Sequence, residues 1–212
     1  MTVAGGGRPD AGNTGGAGRG TGPKLMRMES EPAPFLETPR LRLRDCVEAD
    51  LDRLLALDND PGVKRFIDGG VPAAPETFRA EALPRLLGRG FWAAQERTTG
   101  QWLGWFELRP LNDAGWEVVE LGYRLHRAVW GRGYATEGAR ALVRKAFTEL
   151  GTERVTANTM TVNTASRRVM EKAGLVFVRT YVEEWPEVIE GSEEGEVEYA
   201  LTREEWRRTA SG

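Results

Sequence analysis

Apolar and charged side chains alternate through Leu41-Arg42-Leu43-Arg44, the period of a half-buried strand, and Leu51, Leu54, Leu55 and Leu57 then fall at helical spacing within residues 48–57. The pattern opens with a strand and a helix. Residues 75–88 read as a further helix, interrupted near Pro84, whose missing N–H cannot serve a helix interior. Residues 91–96 and 102–108 are strand-like runs joined by the turn Thr98-Thr99-Gly100-Gln101, which predicts a hairpin. Another strand covers 116–125, with Val118, Val119, Leu121 and Tyr123 in near-continuous array, and the chain then runs into Gly131-Arg132-Gly133. The clearest helix spans 134–150. There Ala135, Ala139, Leu142, Val143, Ala146, Phe147 and Leu150 recur every three or four residues, and Gly151 ends the run. A short strand at 154–158, a helix at 163–173 stopped by Gly174, and strands at 175–182 and 196–201 close the chain. This order predicts an α/β (α+β) domain: a mixed, mostly antiparallel sheet of about seven strands, flanked by helices.

Of the 212 residues, 40% are hydrophobic and 29% charged, the balance of one globular domain with some excess length. The excess is at the N-terminus, where residues 1–24 are dominated by glycine and cannot bury enough surface to offset the entropy of ordering them. We expect a disordered tail over 1–33, a folded domain over 34–208 and a disordered end at 209–212; Met26 and Met28 also allow a later start than Met1. No run approaches the roughly 18 apolar residues of a membrane span, and no signal core follows Met1, so a cytoplasmic protein without a membrane partner is expected. Cys46 and His126 each stand alone, which excludes an intrachain disulfide and a Cys/His zinc site and makes metal chemistry unexpected. A net charge of −3 gives no general attraction to nucleic acid.

The segment Trp130-Gly131-Arg132-Gly133-Tyr134-Ala135 joins a strand to the clearest helix, so unpaired N–H groups of the first helical turn face whatever occupies the junction. An anion suits that place: glycine lets the backbone approach phosphate closely, and the helix dipole adds roughly 0.3 to 1 kcal/mol for a negative group. Arg132 can add a charged contact. On its own the glycine pair is also the signature of a plain tight turn. Thr136 departs from the dinucleotide fingerprint, and no Gly-Lys-Ser/Thr ending marks a nucleoside-triphosphate loop.

The same string, extended to Trp-Gly-Arg-Gly-Tyr-Ala-Thr-Glu, resembles the acetyl-CoA motif of the GNAT superfamily, and within it the RimJ/RimL (ribosomal-protein N-terminal acetyltransferase) branch. Asn163-x-x-Ser166-x-x-Val169-Met170-Glu171-Lys172-x-Gly174-Leu175 and the opening 36–44 match that branch in the same order. Trp130 departs from the family's Arg/Gln. The resemblance implies that the strands at 120–125 and 154–158 splay apart, leaving backbone groups to pair with the pantetheine arm of acetyl-CoA. It implies coenzyme contacts from Tyr123, Arg124 and Leu125 on one strand, and from Trp130, Gly131, Arg132, Gly133, Tyr134, Ala135 and Thr136 at the turn. Asn158, Asn163, Ser166 and Arg167 complete the set. Backbone N–H groups near 123–125 would face the acetyl carbonyl. Arg167 and Arg168 can reach a 3′-phosphate or form a solvated face, and Asn163 can equally cap its own helix.

Attack on a thioester needs a neutral amine. At pH 7 an α-amine of pKa about 7.7 to 8.0 is roughly a tenth to a fifth neutral, whereas a lysine near 10.4 costs about 4.6 kcal/mol to deprotonate. Glu120 lies in a largely apolar strand beside the expected thioester, where a carboxylate is costly to bury unless used or paired. It is the candidate base, through water, or else an outward residue paired with a cation. By the family resemblance Ser166 is the candidate acid for the departing thiolate, with Tyr123 and Tyr134 as alternatives; His126 ranks below Glu120 as base. Eight glutamates and no basic residue between Glu183 and Glu198 would suit a cationic acceptor if that segment borders the cleft, or else form a solvated loop with Trp185, Pro186 and Ile189 as a lip or an anchor.

The expected activity is therefore acetyl transfer from acetyl-CoA to a primary amine by direct attack, the acceptor being a protein or peptide N-terminus, in a monomer or homodimer. A small-molecule amine is the alternative acceptor. A non-catalytic acyl-CoA sensor and a binder of another phosphate ligand are the non-enzyme alternatives.

Overall fold

The computed structural model describes residues 34–112, 115–182 and 189–210. The expected tail over 1–33, residues 211–212, and Trp185 and Pro186 with Glu183, Glu184 and Glu187 lie outside the described residues. The elements in chain order are β1 (Leu36–Glu37), β2 (Leu41–Asp45), α1 (Leu51–Asp58), α2 (Pro61–Lys64), α3 (Pro75–Thr77), α4 (Leu83–Leu86), β3 (Phe91–Glu96), β4 (Trp102–Pro110) and β5 (Val118–Leu125). After these come α5 (Tyr134–Thr148), β6 (Arg154–Met160), α6 (Thr164–Lys172), β7 (Val176–Tyr181), β8 (Glu196–Thr202) and α7 (Arg203–Ala210).

Three of these have no counterpart in the hydrophobic pattern. β1 is too short to show a period and exists because it pairs with β2. α2 is a single turn that starts on Pro61, capped by the Asp60 side chain. α7 is mostly charged, docks through Trp206 on Phe147 at 5.6 Å, and has Glu205 reaching back to the Thr202 N–H at 2.8 Å. The interruption expected near Pro84 takes the form of a π-helical stretch, Phe78–Ala82, between α3 and α4; Pro84 has no N–H to return to Ala80.

The strands form one eight-stranded sheet in the order β1-β2-β3-β4-β5-β6-β8-β7. One face carries Leu41, Leu43, Phe106, Leu108, Val119, Leu121, Val155 and Tyr199 against Ala139, Leu142, Val143 and Ala146 of α5 and Met170 of α6. The other face carries Phe91, Ala93, Trp102 and Trp105 against Leu54, Leu57, Phe78 and Leu86 of the α1–α4 region, with the Cys46 thiol buried among them and pushed up to about 12 by that burial. α5 lies close on the sheet because Gly138 has no side chain: a Cβ there would stand 2.3 Å from Phe106 Cζ. No helix among the described residues is long and apolar enough to cross a membrane.

β5 and β6 run parallel, whereas every other neighbouring pair is antiparallel. They share rungs only at Val118↔Arg154, Val119↔Val155 and Glu120↔Thr156. Past those, β5 stays with β4 as far as Leu125, and β6 stays with β8 as far as Met160. The divergence expected over 120–125 thus begins just past Glu120, and it leaves inner-edge backbone groups on both strands without a ladder partner.

Candidate active site

The turn ahead of α5 exposes backbone N–H groups. Gly131 and Gly133 hold φ of 72° and 82°, the left-handed region that favours glycine. Gly133 is the N-cap and offers no side chain, and the first α-helical bond runs from Glu137 N–H to Gly133 O at 3.0 Å. The N–H groups of Tyr134, Ala135 and Thr136 therefore have no intrahelical carbonyl to bond. Arg40 braces the turn from the far end of the chain: it donates to Arg132 O at 2.9 Å, pairs with Glu137 at 2.6 Å, and lies 4.6 Å over the Tyr134 ring. Thr38 adds a 2.6 Å hydrogen bond to Glu137. Burial works against the Glu137 charge, but the bonds from Thr38 and Arg40 outweigh it and hold the carboxyl below the usual range.

On the helix side of the β5–β6 opening, Tyr123 and Ser166 meet. The Tyr123 hydroxyl lies 2.9 Å from Ser166 Oγ and donates to Ser166 O at 3.2 Å. Burial pushes the phenol up to about 12, so it keeps its proton at neutral pH. α6 starts at that point because the Asn163 side chain accepts from the Ser166 N–H at 3.2 Å and donates to Thr159 Oγ1 at 3.0 Å.

The opposite face of β5 presents Glu120, Gly122 and Arg124. Arg109 on β4 sits between two carboxylates, bonded to Glu107 through Nε at 2.6 Å and to Glu120 through Nη2. Asn158 on β6 donates to the other Glu120 oxygen at 3.2 Å and accepts from Tyr181 at 3.3 Å, so the cluster spans the opening. Arg124 is anchored by Asp58 of α1 at 2.5 Å and lies 5.2 Å over the Trp105 ring. Residues 65 and 190 also form an ion pair, Arg65 to Glu190 at 3.1 Å. The opening is thus bordered by the glycine turn and the Tyr123–Ser166 pair on one side and by a charged cluster on the other.

The acetyltransferase (GNAT) domain family matches residues 40–176. The chain belongs to the GNAT acetyltransferase family. This GNAT protein is an acetyl-CoA-dependent N-acetyltransferase. It is 36% identical over 193 residues to the FsC-acetyl coenzyme A-N(2)-transacetylase of Aspergillus fumigatus, covering 85% of this chain and 81% of that one. Its fold is shared with the spermidine N-acetyltransferase of Vibrio cholerae, solved with CoA and spermine (TM-score 0.68, 16% identity, 80% of this chain and 99% of that one). It is also shared with RimL, a ribosomal L7/L12 α-N-protein acetyltransferase solved with CoA (TM-score 0.66, 16% identity, 80% and 98%).

The fold of this GNAT enzyme places Gly131, Arg132, Gly133, Tyr134, Ala135 and Thr136 at the turn and first helical turn of α5, and pairs Tyr123 with Ser166. It gives other residues different surroundings. The Trp130 indole donates to Leu125 O at 2.7 Å, closing the end of β5. Arg167 is tied to Thr161 O at 3.1 Å and Tyr199 at 3.2 Å. The Tyr134 hydroxyl is bonded to Glu96 on β3, and His126 packs on Trp102 at 5.2 Å with its pKa lowered by burial. Glu120 lies at the edge of the opening and is paired with a cation, Arg109. Thr38, Arg40, Glu107, Arg109 and Glu137 did not emerge from the sequence as site residues. The alternation Phe106-Glu107-Leu108-Arg109 puts two charges on one strand face, and that is the signal they left. Among the described residues, no group of three His, Cys, Asp or Glu side chains converges as a metal site.

Proposed function

We propose that the acceptor is an α-amine carried by a small molecule, acetylated by direct attack while both substrates are bound. The observation that carries the reading is the charged face over the β5–β6 opening, where Glu107, Arg109, Glu120 and Asn158 surround the bare Gly122. Opposed charges of this kind suit an amine flanked by a polar carbonyl better than a purely cationic polyamine. The A. fumigatus relative, named an N(2)-transacetylase, supports transfer to an amine nitrogen. A protein or peptide N-terminus is the second reading, supported by the RimL likeness and sharing the same α-amine chemistry.

In this proposal the turn at 131–136 holds the pyrophosphate, and the unpaired edges of β5 and β6 take the pantetheine arm. N–H groups of 123–125 face the acetyl carbonyl, where negative charge grows during attack. Removal of the amine's proton falls to the carboxylates around Arg109, to which Glu120 belongs, and the Tyr123–Ser166 pair returns a proton to sulfur. A groove of about 840 Å³ leads from Gly133 along the outer side of α5 past Arg140, Arg144 and Lys172. Of those, Arg144 and Lys172 suit the 3′-phosphate end better than Arg167, whose guanidinium is already engaged.

The test is acceptor-dependent CoA release across small α-amines, N-terminal peptides, ε-amines and polyamines. We expect the highest kcat/KM on small α-amines. A preference for peptides of tenfold or more would move the acceptor to the second reading, and a preference for ε-amines or polyamines would overturn the α-amine assignment.

A further inference from the structure

The attacking amine must give up a proton, and a carboxylate oxygen that no protein donor engages is the stronger acceptor for it. Both Glu120 oxygens already accept hydrogen bonds, one from Arg109 and the other from Asn158. Glu107, one strand away, is different. Its Oε1 accepts from Arg109 Nε at 2.6 Å, and no hydrogen bond to its Oε2 is made among the described residues. The side chain is only 12% exposed, and that oxygen has no protein donor among the described residues.

Its position explains what the oxygen is for. Glu107 stands opposite Gly122 in the β4–β5 ladder, and Oε2 lies 2.9 Å from where a Gly122 Cβ would be. Gly122 is the second residue of β5 past the last rung shared with β6. Its bare backbone makes room for the Glu107 carboxylate on the acceptor face at the mouth of the opening, between the Glu120 and Arg124 positions. An amine that reaches a thioester lying in the opening from this face passes Gly122 and meets Glu107 Oε2.

We propose that Glu107 is the catalytic residue that takes the proton of the acceptor amine, and that Arg109 and Glu120 are positioning residues that hold its carboxylate. The inference rests on the acetyl-transfer reading above. As the amine nitrogen bonds to the acetyl carbon, its proton passes to Glu107 Oε2. The carbon–sulfur bond breaks, and the departing thiolate takes a proton from the Tyr123–Ser166 pair. Glu107 then loses its proton to water and the pair regains one, so amine and thioester give amide and thiol with no net proton change.

The charged groups facing Glu107 are Arg109 on its own strand, Glu120 on β5 and Arg85 on α4. Burial, reinforced by Glu120, outweighs both arginines and holds the Glu107 carboxyl above the usual range. A base raised in this way works closer to neutral pH than an ordinary carboxylate. Glu107 must be ionised to act, so kcat/KM falls as pH drops through its raised pKa.

The experiment is the pH profile of kcat/KM, by CoA release, for the native chain, Glu107→Gln, Glu120→Gln and Gly122→Ala, with thermal melting as a folding check. Glu107→Gln should lower kcat by about 10²-fold or more, leave the KM for acetyl-CoA unchanged, and remove the acidic limb. Glu120→Gln should keep that limb but move it to lower pH, because a charge that raises Glu107 is gone. Gly122→Ala should push the Glu107 carboxylate aside and lower kcat/KM for the acceptor, again without changing the KM for acetyl-CoA. If the native chain turns over and Glu107→Gln keeps both its rate and its acidic limb, Glu107 is not the base. Absence of acceptor-dependent release by the native chain would overturn the transfer reading itself, and this inference with it.

Discussion

Replacing Gly133 by alanine isolates what the turn contributes to coenzyme binding. At φ of 82° an L side chain costs roughly 1–2 kcal/mol. The added Cβ would stand 3.4 Å from Arg40 Nη2, the flexible end of a side chain, so the conformational cost outweighs the steric one. The turn can bear that strain in place, which lowers stability, or relax out of the conformation that aims the N–H groups of 134–136 at phosphate. Relaxation that costs 1–2 kcal/mol of binding raises the acetyl-CoA dissociation constant about five- to thirtyfold. Gly151 supplies the control, since it holds φ of 77°, has nothing within 4 Å of an added Cβ, and lies past the other end of α5. Gly151→Ala should lose comparable stability, roughly 2–8 °C in Tm at about 2–4 °C per kcal/mol, with acetyl-CoA affinity unchanged. Calorimetric titration of acetyl-CoA into both variants is the assay. Equal affinity in the Gly133 and Gly151 variants would refute the assignment of the turn to phosphate.

Tyr123→Phe should lower kcat by roughly 10²-fold while Ser166→Ala lowers it less, because the buried phenol keeps its proton to about pH 12 and Ser166 can serve only weakly alone; equal rates for native and Tyr123→Phe in single-turnover CoA release would remove the phenol from proton return. Glu137 ties the turn to pH. Its folded pKa is depressed, so its contribution to stability is complete above the ordinary carboxylate pKa of about 4.3 and is lost as pH falls through the lower folded value. Arg40→Ala should shrink that acid-side loss in melting curves taken from pH 6 down to pH 3, and an unchanged pH dependence would show that Arg40 does not hold the Glu137 charge.

What could be read along the chain was what depends on near neighbours. α5, the hairpin of β3 and β4, and the glycine turn follow from periodicity and backbone freedom over a few residues, and the structure has them with boundaries shifted by only a residue or two. The site chemistry that escaped depends on contacts between distant segments. Arg40 meets Glu137 across 97 positions, and Glu107 meets Gly122 through a strand register that no local pattern specifies. Glu120 was visible because a lone carboxylate in an apolar strand is conspicuous by itself. Its partner Arg109 became meaningful only once β4 lay beside β5. For the same reason Arg167 reads from the sequence as a phosphate contact or a solvated cation, although the closing strand β8 supplies the tyrosine that ties its guanidinium down.

In the proposed reaction the β5–β6 opening holds thioester and amine together so that one attacks the other directly. Initial rates of CoA release, with acetyl-CoA and an α-amine varied against each other, test it most directly. Direct attack predicts double-reciprocal lines that intersect, with CoA and acetylated amine formed in equal amounts. Parallel lines, or a burst of CoA released before any amine is added, would show transfer through an acetylated enzyme and contradict the account.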